Sequence, residues 1–325
     1  MPLPSSPVPK YTYTVVPSLF QQSLPHADGK TFDYASQNFG LLSPPSSLSL
    51  EGQGPCETPT SPSAAWASLR AHLRDLNTTS PLQVSYKLLY LSRHGSGLHN
   101  LAEATYGREA WDATYCTRTG NEELGSWVDA QLTETGITQA LQAREFWGTM
   151  LADGVLVPGR FYVSPLERCL ATARITWGDL GALQGKWKPC VVEQLRETSG
   201  RHPCDKRSPT SVMKAKYPEF EWEEGVAEED ELWEAGHRES FAETDMRVRA
   251  FLDVVWGEGE GVVSGEKGNV DELDATTVEK GPTVLSFTTH SGWIAGALRV
   301  IGHREFRPMT GGIVPVVVRG EKVVE

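Results

Sequence analysis

The sequence KLLYLSRHGSGLHN, residues 87–100, joins a short apolar run to a polar, glycine-containing turn and then to a predicted helix. Residues 87–91 are predicted to form a strand, and Asn100 is predicted to cap a helix over 101–111. The same order of strand and helix recurs along the chain. Further strands are predicted over 161–164, 189–192, 283–289 and 313–319, and further helices over 66–76, 134–151, 166–177, 243–256 and 291–301. This alternation predicts an α/β three-layer sandwich, with a central, mostly parallel sheet flanked by helices.

Composition excludes several classes of protein. Hydrophobic residues make up 39% of the 325, including ten Trp, which is enough for a packed core. The formal net charge is −12. Nucleic-acid binding depends on clustered Lys and Arg, so no nucleic-acid partner is expected. Any anionic substrate must then be bound by a local basic pocket.

The first 62 residues differ in composition from the rest, because they contain eleven of the 21 prolines. We interpret residues 1–63 as a Pro/Ser-rich extension that packs partly on the body through its aromatic residues. Residues 64–325 are predicted to form one domain. It contains an insertion over 200–230 and a mobile acidic loop over 257–281, which is rich in Gly and acidic residues and lacks periodicity.

Cysteine usage and hydropathy predict a cytoplasmic, soluble protein. The five cysteines are odd in number and follow no repeating spacing, which favours a reducing compartment. No secretory signal is visible at the N-terminus. The longest apolar runs, such as 314–318, are too short to span a bilayer, so no membrane partner is expected.

Three predicted strands end on residues that carry chemistry. The strand over 87–91 leads into Arg93 and His94, the strand over 161–164 leads to Arg168, and the strand over 283–289 leads to His290. In parallel sheets the ligand crevice lies at the carboxyl ends of the strands. The two histidines and two arginines are therefore expected to converge on one rim.

These motifs resemble the histidine phosphatase superfamily, also called phosphoglycerate mutase-like. The resemblance rests on RHG at 93–95 with Asn100, SPL at 164–166 with Arg168, and the later His290, and it covers roughly 84–320. A nearer resemblance is to fungal phosphoglycerate mutase family proteins. It rests on RHGSGLHN at 93–100, LT at 132–133 with Gly136, and LRE at 195–197 followed by CDKR at 204–207.

The resemblance implies that His94 is a nucleophile that becomes phosphorylated. A neutral imidazole can attack phosphorus near pH 7, provided that its other ring nitrogen donates its proton to an acceptor such as a backbone carbonyl. Arg93 and Arg168 suit the charged oxygens of the transferred group, and the resemblance assigns His290 to the same pocket. Asn100 is expected to bind substrate at the rim. No metal or cofactor is expected, because arginines and histidines supply the positive charge.

The leaving group needs a proton, and Glu197 is the predicted acid. The resemblance places a glutamate there, and the same carboxylate would later act as base on water. Partial burial would be needed for it to be protonated at the right moment. Glu193 is a nearby rival.

Four residues are predicted to bind substrate less directly. They are Ser291, His202, Asp205 and Arg207. For the last three, and for His99, local hydrogen bonds within loops are an equally good explanation.

The predicted function is a metal-independent phosphatase that hydrolyses a small phosphorylated organic molecule. A phosphoglycerate-type phosphomutase would use the same phosphohistidine. Mutases of this family typically carry a longer tail over the site, whereas this chain ends soon after its last predicted strand, which favours hydrolysis. A catalytically silent interaction protein is a further alternative. A zinc module built from His202, Cys204, Cys190 and Cys169 is disfavoured, because no Cys-x-x-Cys pair exists. The sequence predicts no oligomeric state.

Overall fold

A computed structural model describes residues 10–42, 61–183, 185, 187–257 and 283–324. The strands are β1 Tyr11–Val15, β2 Val84–Arg93, β3 Gly120–Asn121, β4 Gly125–Ser126, β5 Arg160–Val163, β6 Pro189–Val191, β7 Glu221–Trp222, β8 Val284–Thr289 and β9 Ile313–Lys322. The α-helices are α1 Pro62–Thr79, α2 Leu98–Tyr106, α3 Arg108–Ala113, α4 Glu134–Ala152, α5 Glu167–Ala173, α6 Thr210–Lys216, α7 Phe241–Gly257 and α8 Ser291–Val300. None of these helices is long and apolar enough to cross a membrane.

Seven strands form the central sheet in the order β1-β9-β2-β8-β5-β6-β7. The strand pairs from β2 to β7 are parallel, whereas β9 runs antiparallel to both β2 and β1. The remaining two strands, β3 and β4, form a small separate hairpin. The prediction of a mostly parallel sheet flanked by helices is confirmed.

Alternate residues of the central strands pack into two hydrophobic clusters, one on each face of the sheet. In β2, Leu88 and Tyr90 pack in the first cluster, with residues of α1 and α4, while Leu89 and Leu91 pack in the second, with residues of α7 and α8. Successive side chains of a strand point to opposite faces, and both faces of β2 are covered, so the residues over 88–91 are all apolar. All six residues of β8 are buried for the same reason.

The N-terminal segment over 10–42 is part of the fold. Its strand β1 pairs with β9 at one edge of the sheet. Phe39 has a positive φ of 59°, and its ring lies 4.8 to 5.9 Å from the rings of Trp66, Tyr90 and Trp147. A left-handed conformation is costly for Phe, and burial of its ring in an aromatic cluster offsets that cost.

The structure corrects some predicted boundaries. The helix predicted over 101–111 is two helices, α2 and α3, divided at Gly107, whose φ of 81° interrupts a helix. Gly97, not Asn100, is the N-cap of α2, and Asn100 lies inside the helix with its Oδ1 accepting the Gly97 amide at 3.0 Å. The segment predicted as the insertion, 200–230, contains α6 and the edge strand β7. The predicted mobile loop over 257–281 lies outside the described residues, except for its first residue.

Candidate active site

The parallel neighbours β2, β8 and β5 bring their carboxyl ends to one edge of the sheet. His94 follows β2, and its amide donates to the carbonyl of Thr289, the last residue of β8. His290 comes next, and the rings of His94 and His290 have centroids 5.0 Å apart. The expected convergence at the rim is what the register of these strands produces.

His94 is held in one tautomer by its own backbone. Its Nδ1 lies 2.7 Å from the carbonyl oxygen of Gly95. A carbonyl only accepts hydrogen bonds, so Nδ1 carries the proton and Nε2 carries the lone pair. Burial, Arg168 and Arg93 lower the pKa of His94 well below its ordinary 6.5. The imidazole is therefore neutral near pH 7, with its basic nitrogen free of a proton.

Gly95 is needed at its position because of a close backbone approach. A β-carbon there would collide with the backbone of Gly136, at the start of α4. The amide of Gly95 donates to Oγ1 of Thr172 at 3.0 Å. Thr172 belongs to the same helix as Arg168, so the loop after β2 is tied to α5.

Arg168 is fully buried and contacts the basic nitrogen of His94. Its Nε donates to Nε2 of His94 at 3.3 Å, and its Nη1 donates to the carbonyl of Cys204 at 2.6 Å. The Nη2 atom donates to Oδ1 of Asp205 at 2.9 Å, and the other oxygen of Asp205 accepts from Arg238 at 2.7 Å. Burial by itself would raise the pKa of Asp205, but Arg238 and Arg168 hold it below its ordinary value. One ionised carboxylate therefore orients two guanidinium groups.

His290 lies behind the cavity surface and is fully buried. Its Nε2 is 2.7 Å from Oγ of Ser164 and 3.4 Å from Sγ of Cys169. Burial, Arg168 and His94 lower the pKa of His290 well below its ordinary value, which favours the neutral ring. The serine of the 164–166 motif thus contacts the second histidine directly.

A cavity of about 450 Å³ opens above His94. Seven of the predicted site residues line it: Arg93, His94, Asn100, Glu197, His202, Asp205 and Ser291. It is also lined by more basic than acidic residues, in a chain of net charge −12. The basic residues are Lys30, Arg93, Arg108, Arg238, Arg299 and Arg307, and the acidic ones are Glu103, Asp112, Glu197 and Asp205. The local basic pocket that the composition required is therefore present.

Glu197 and its rival Glu193 lie in different surroundings. Glu197 lines the cavity, and its carboxylate accepts from Oγ of Ser291 at 3.2 Å and from the amide of Thr198 at 2.9 Å. Glu193 does not line this cavity. Its carboxylate binds Arg196 and Arg207 instead.

Arg207 does not reach the cavity, so its predicted role in substrate binding is corrected. Its guanidinium donates to the carbonyls of residues 227–229 at 2.7 to 3.0 Å and to the carboxylate of Glu193. Because its guanidinium N–H groups donate to these loop atoms, Arg207 connects the loop over 227–229 to Glu193 and stabilises the fold there. The sequence left substrate binding and local hydrogen bonding within loops as equally good explanations for Arg207, and the structure agrees with local hydrogen bonding.

The four residues of the zinc alternative do not form one cluster, because only His202 and Cys204 lie close together. Cys169 and Cys190 pack with different hydrophobic clusters. In the described part of the chain, one group of three residues has its possible metal-ligand atoms within 4.8 Å of one another: His202, Cys204 and Asp205. Both oxygens of Asp205 are occupied by arginines, and burial raises the pKa of the Cys204 thiol well above its ordinary value. A protonated thiol and nearby guanidinium groups make this a poor site for a cation.

Arg238 and Lys30 are among the cavity residues that sequence reasoning missed. Arg238 lies in a loop without periodicity and is recognisable only through its ion pair with Asp205. Lys30 comes from the N-terminal segment, where Gly29 packs so closely on the backbone of Arg307 that a β-carbon would collide. Neither position has a local sequence signal, because loops from distant parts of the chain meet there.

A mostly parallel sheet between two helical layers, with paired histidines and arginines at its carboxyl edge, defines a protein of the phosphoglycerate mutase-like fold class. The chain belongs to the histidine phosphatase superfamily, branch 1, whose family model matches residues 89–264. That family is the one indicated by the sequence motifs.

Two fungal relatives of this chain are both named as probable phosphoglycerate mutases. A protein of Arthroderma benhamiae named "Probable phosphoglycerate mutase" is 38% identical over 97% of this chain and 86% of its own. The Saccharomyces cerevisiae protein "Probable phosphoglycerate mutase PMU1" is 34% identical over 72% of this chain and 78% of its own. Among solved structures, a phosphoserine phosphatase from Entamoeba histolytica is 18% identical, with a TM-score of 0.36 over 70% of this chain and 88% of that one.

Proposed function

We propose that this protein is a phosphatase that hydrolyses a small phosphorylated organic molecule through a phosphohistidine at His94. The observation that carries the proposal is the state of that imidazole. Its Nδ1 proton is bound by the Gly95 carbonyl, and its Nε2 lies 3.3 Å from a buried arginine at the floor of a basic cavity. A neutral nitrogen lone pair next to a fixed guanidinium is suited to attack a phosphoryl group.

The arginines would bind the phosphoryl oxygens. In the protein alone, Nε of Arg168 donates to Nε2 of His94. A bound phosphoryl group would take over that donor, which leaves Nε2 able to form a bond to phosphorus. Arg93 has a pKa lowered mainly by burial, and its buried Nε has no hydrogen-bond partner among the described residues. An unpaired buried donor is costly unless a ligand satisfies it, so Arg93 is a further phosphate ligand.

Glu197 would supply the proton to the leaving oxygen. Its carboxylate lines the cavity and accepts a hydrogen bond from Ser291, the first residue of α8, which directly follows His290 in the sequence. After the bond between phosphorus and the leaving oxygen breaks, the carboxylate would remove a proton from the water that attacks phospho-His94. The arginines supply the positive charge for both steps, so the reaction requires no metal.

Hydrolysis is favoured over mutase activity by the open mouth of the cavity. Its lining includes exposed side chains such as Phe241 and Met309, so water can enter the cavity at its mouth. A mutase has to protect its phosphohistidine from water until the phosphoryl group returns to the substrate. The names of two relatives support phosphoglycerate mutase activity as a second candidate.

The test is release of phosphate from a panel of phosphomonoesters in the presence of a chelator, with the native protein and His94→Ala. We expect chelator-resistant release that the substitution abolishes, and a phosphohistidine that can be trapped in the native protein only. With 3-phosphoglycerate, conversion to 2-phosphoglycerate without release of phosphate would indicate the mutase. A folded protein that forms no phosphohistidine with any substrate would be a silent binding protein, and the proposal would be wrong.

A further inference from the structure

The cavity extends away from His94 along one face of α8. The residues Ser291, Gly292, Ala295 and Arg299 all line it. Ser291 and Arg299 are eight residues apart, which corresponds to about 12 Å along a helix. The intervening lining residues are small, so this face forms a track between the nucleophile and the mouth of the cavity. An inorganic phosphate at the floor would leave most of this track empty.

Phe241, the first residue of α7, stands at the outer end of the track. It lines the cavity and is nevertheless 69% exposed, which is unusual for a large aromatic side chain. The guanidinium carbon of Arg299 lies 4.8 Å from the centre of its ring. Arg299 is itself fixed by hydrogen bonds of 2.6 to 3.1 Å to both carboxylate oxygens of Asp245.

This arrangement selects for an aromatic group and against an anion. The charge of Arg299 is paired with Asp245, so the arginine offers little net attraction to a second acidic group. Its guanidinium packs on Phe241 and orients the ring, while most of the side chain stays exposed at the mouth of the cavity. A ring held in place loses little freedom when a second ring packs against it.

We propose that the Phe241 ring, held by Arg299, forms a subsite for an aromatic ring of the leaving group, and that the substrates of this site are phosphomonoesters whose leaving group carries that ring along the track of about 12 Å to Phe241. This inference rests on the proposed function, because it places the phosphoryl group at His94. It adds the chemical class of the leaving group, which the catalytic residues themselves do not specify.

The experiment measures binding of two phosphonates, which the enzyme cannot hydrolyse. These are 7-phenylheptylphosphonate and heptylphosphonate, which differ only in the ring and whose chain spans the length of the track. Calorimetric dissociation constants are compared for the native protein, Phe241→Ala and a matched control, Val254→Ala. Val254 lies on the same helix and is also exposed, but it does not line the cavity.

We expect the native protein to bind the phenyl compound more tightly, and Phe241→Ala to lose about two- to tenfold of that advantage, as expected for one aromatic pair. The control should keep the full advantage. Equal binding of the two phosphonates by the native protein, or an advantage that survives in Phe241→Ala, would overturn the subsite.

Failure of the subsite and failure of the proposed function give different results. If the phenyl advantage depends on Phe241 but no phosphomonoester releases phosphate, the subsite stands and the phosphatase assignment falls. If phosphate is released but the ring has no effect on binding, the phosphatase stands and the subsite is wrong. If neither phosphonate binds, the phosphoryl site and the subsite are both overturned.

Discussion

Gly292, the second residue of α8, packs directly against the carboxylate of Glu197. A methyl group at this position would place its carbon 2.0 Å from Oε1 of Glu197 and 2.5 Å from Oγ1 of Thr198. Carbon and oxygen atoms rarely approach within 3 Å, so Gly292→Ala must displace the carboxylate by about 1 Å or more. The substitution thus tests the position of the proposed acid without changing its chemistry.

Displacements of this size cost on the order of 100-fold in rate when the group takes part in catalysis. We expect Gly292→Ala to lower kcat for an alkyl phosphate by about that factor. An aryl phosphate, whose leaving group needs little protonation, should be affected much less. Glu197→Gln should show the same dependence on the leaving group, because it removes the proton that Gly292→Ala misplaces.

Gly148→Ala is the matched control, since Gly148 is also helical and its added carbon would lie 3.8 Å from its nearest neighbour, an ordinary contact. Replacing a helical glycine by alanine stabilises by about 0.5–1 kcal/mol, so this control should keep full activity with an unchanged or higher melting temperature. The assay is steady-state hydrolysis of ethyl phosphate and 4-nitrophenyl phosphate, with melting curves for each variant. Wild-type hydrolysis of ethyl phosphate by folded Gly292→Ala, or equal losses on both substrates, would refute the role assigned to Glu197.

Three further predictions concern the nucleophile and the groups around it. Asp205→Asn removes the charge that orients Arg168 and Arg238, so the inhibition constant for vanadate should rise at least about tenfold. The buried arginine left without its partner should lower the free energy of unfolding by a few kcal/mol. The control Asp179→Asn, at an exposed ion pair, should change both quantities little, and an unchanged vanadate affinity in Asp205→Asn would contradict the positioning role. Because burial and the nearby arginines lower the pKa of His94 well below 6.5, kcat/KM should show no loss attributable to this residue between pH 7 and 6. The unfolded chain takes up the His94 proton first as the pH falls below about 6.5, so the free energy of unfolding should decrease from there downwards, and denaturant titrations at stepwise lower pH that show no difference between the native protein and His94→Asn would contradict this.

The sequence alone was sufficient to predict the fold class and the meeting of three strand-end motifs at one edge of the sheet. Local apolar periodicity predicts strands and helices, and parallel neighbouring strands have their carboxyl ends at the same edge of the sheet. Motifs at the ends of three such strands therefore had to meet, and His94, Arg168 and His290 do meet. The choice of Glu197 over Glu193 came from a motif, and only the structure shows that Glu197 alone of the two lines the cavity.

Contacts between distant parts of the chain were decided by tertiary structure. The strand β1 pairs with β9 about 300 residues away, and Lys30 reaches the cavity because the N-terminal segment packs on the loop that contains Arg307. Arg207 and Arg238 both lie in loops, yet one binds backbone carbonyls and the other shares Asp205 with Arg168. Periodicity records which face of a helix or strand is buried, whereas the partner of a loop side chain depends on the path of the folded backbone. The sequence by itself therefore determined the sheet and the residues at its carboxyl edge, and only the folded chain decided which other side chains surround them.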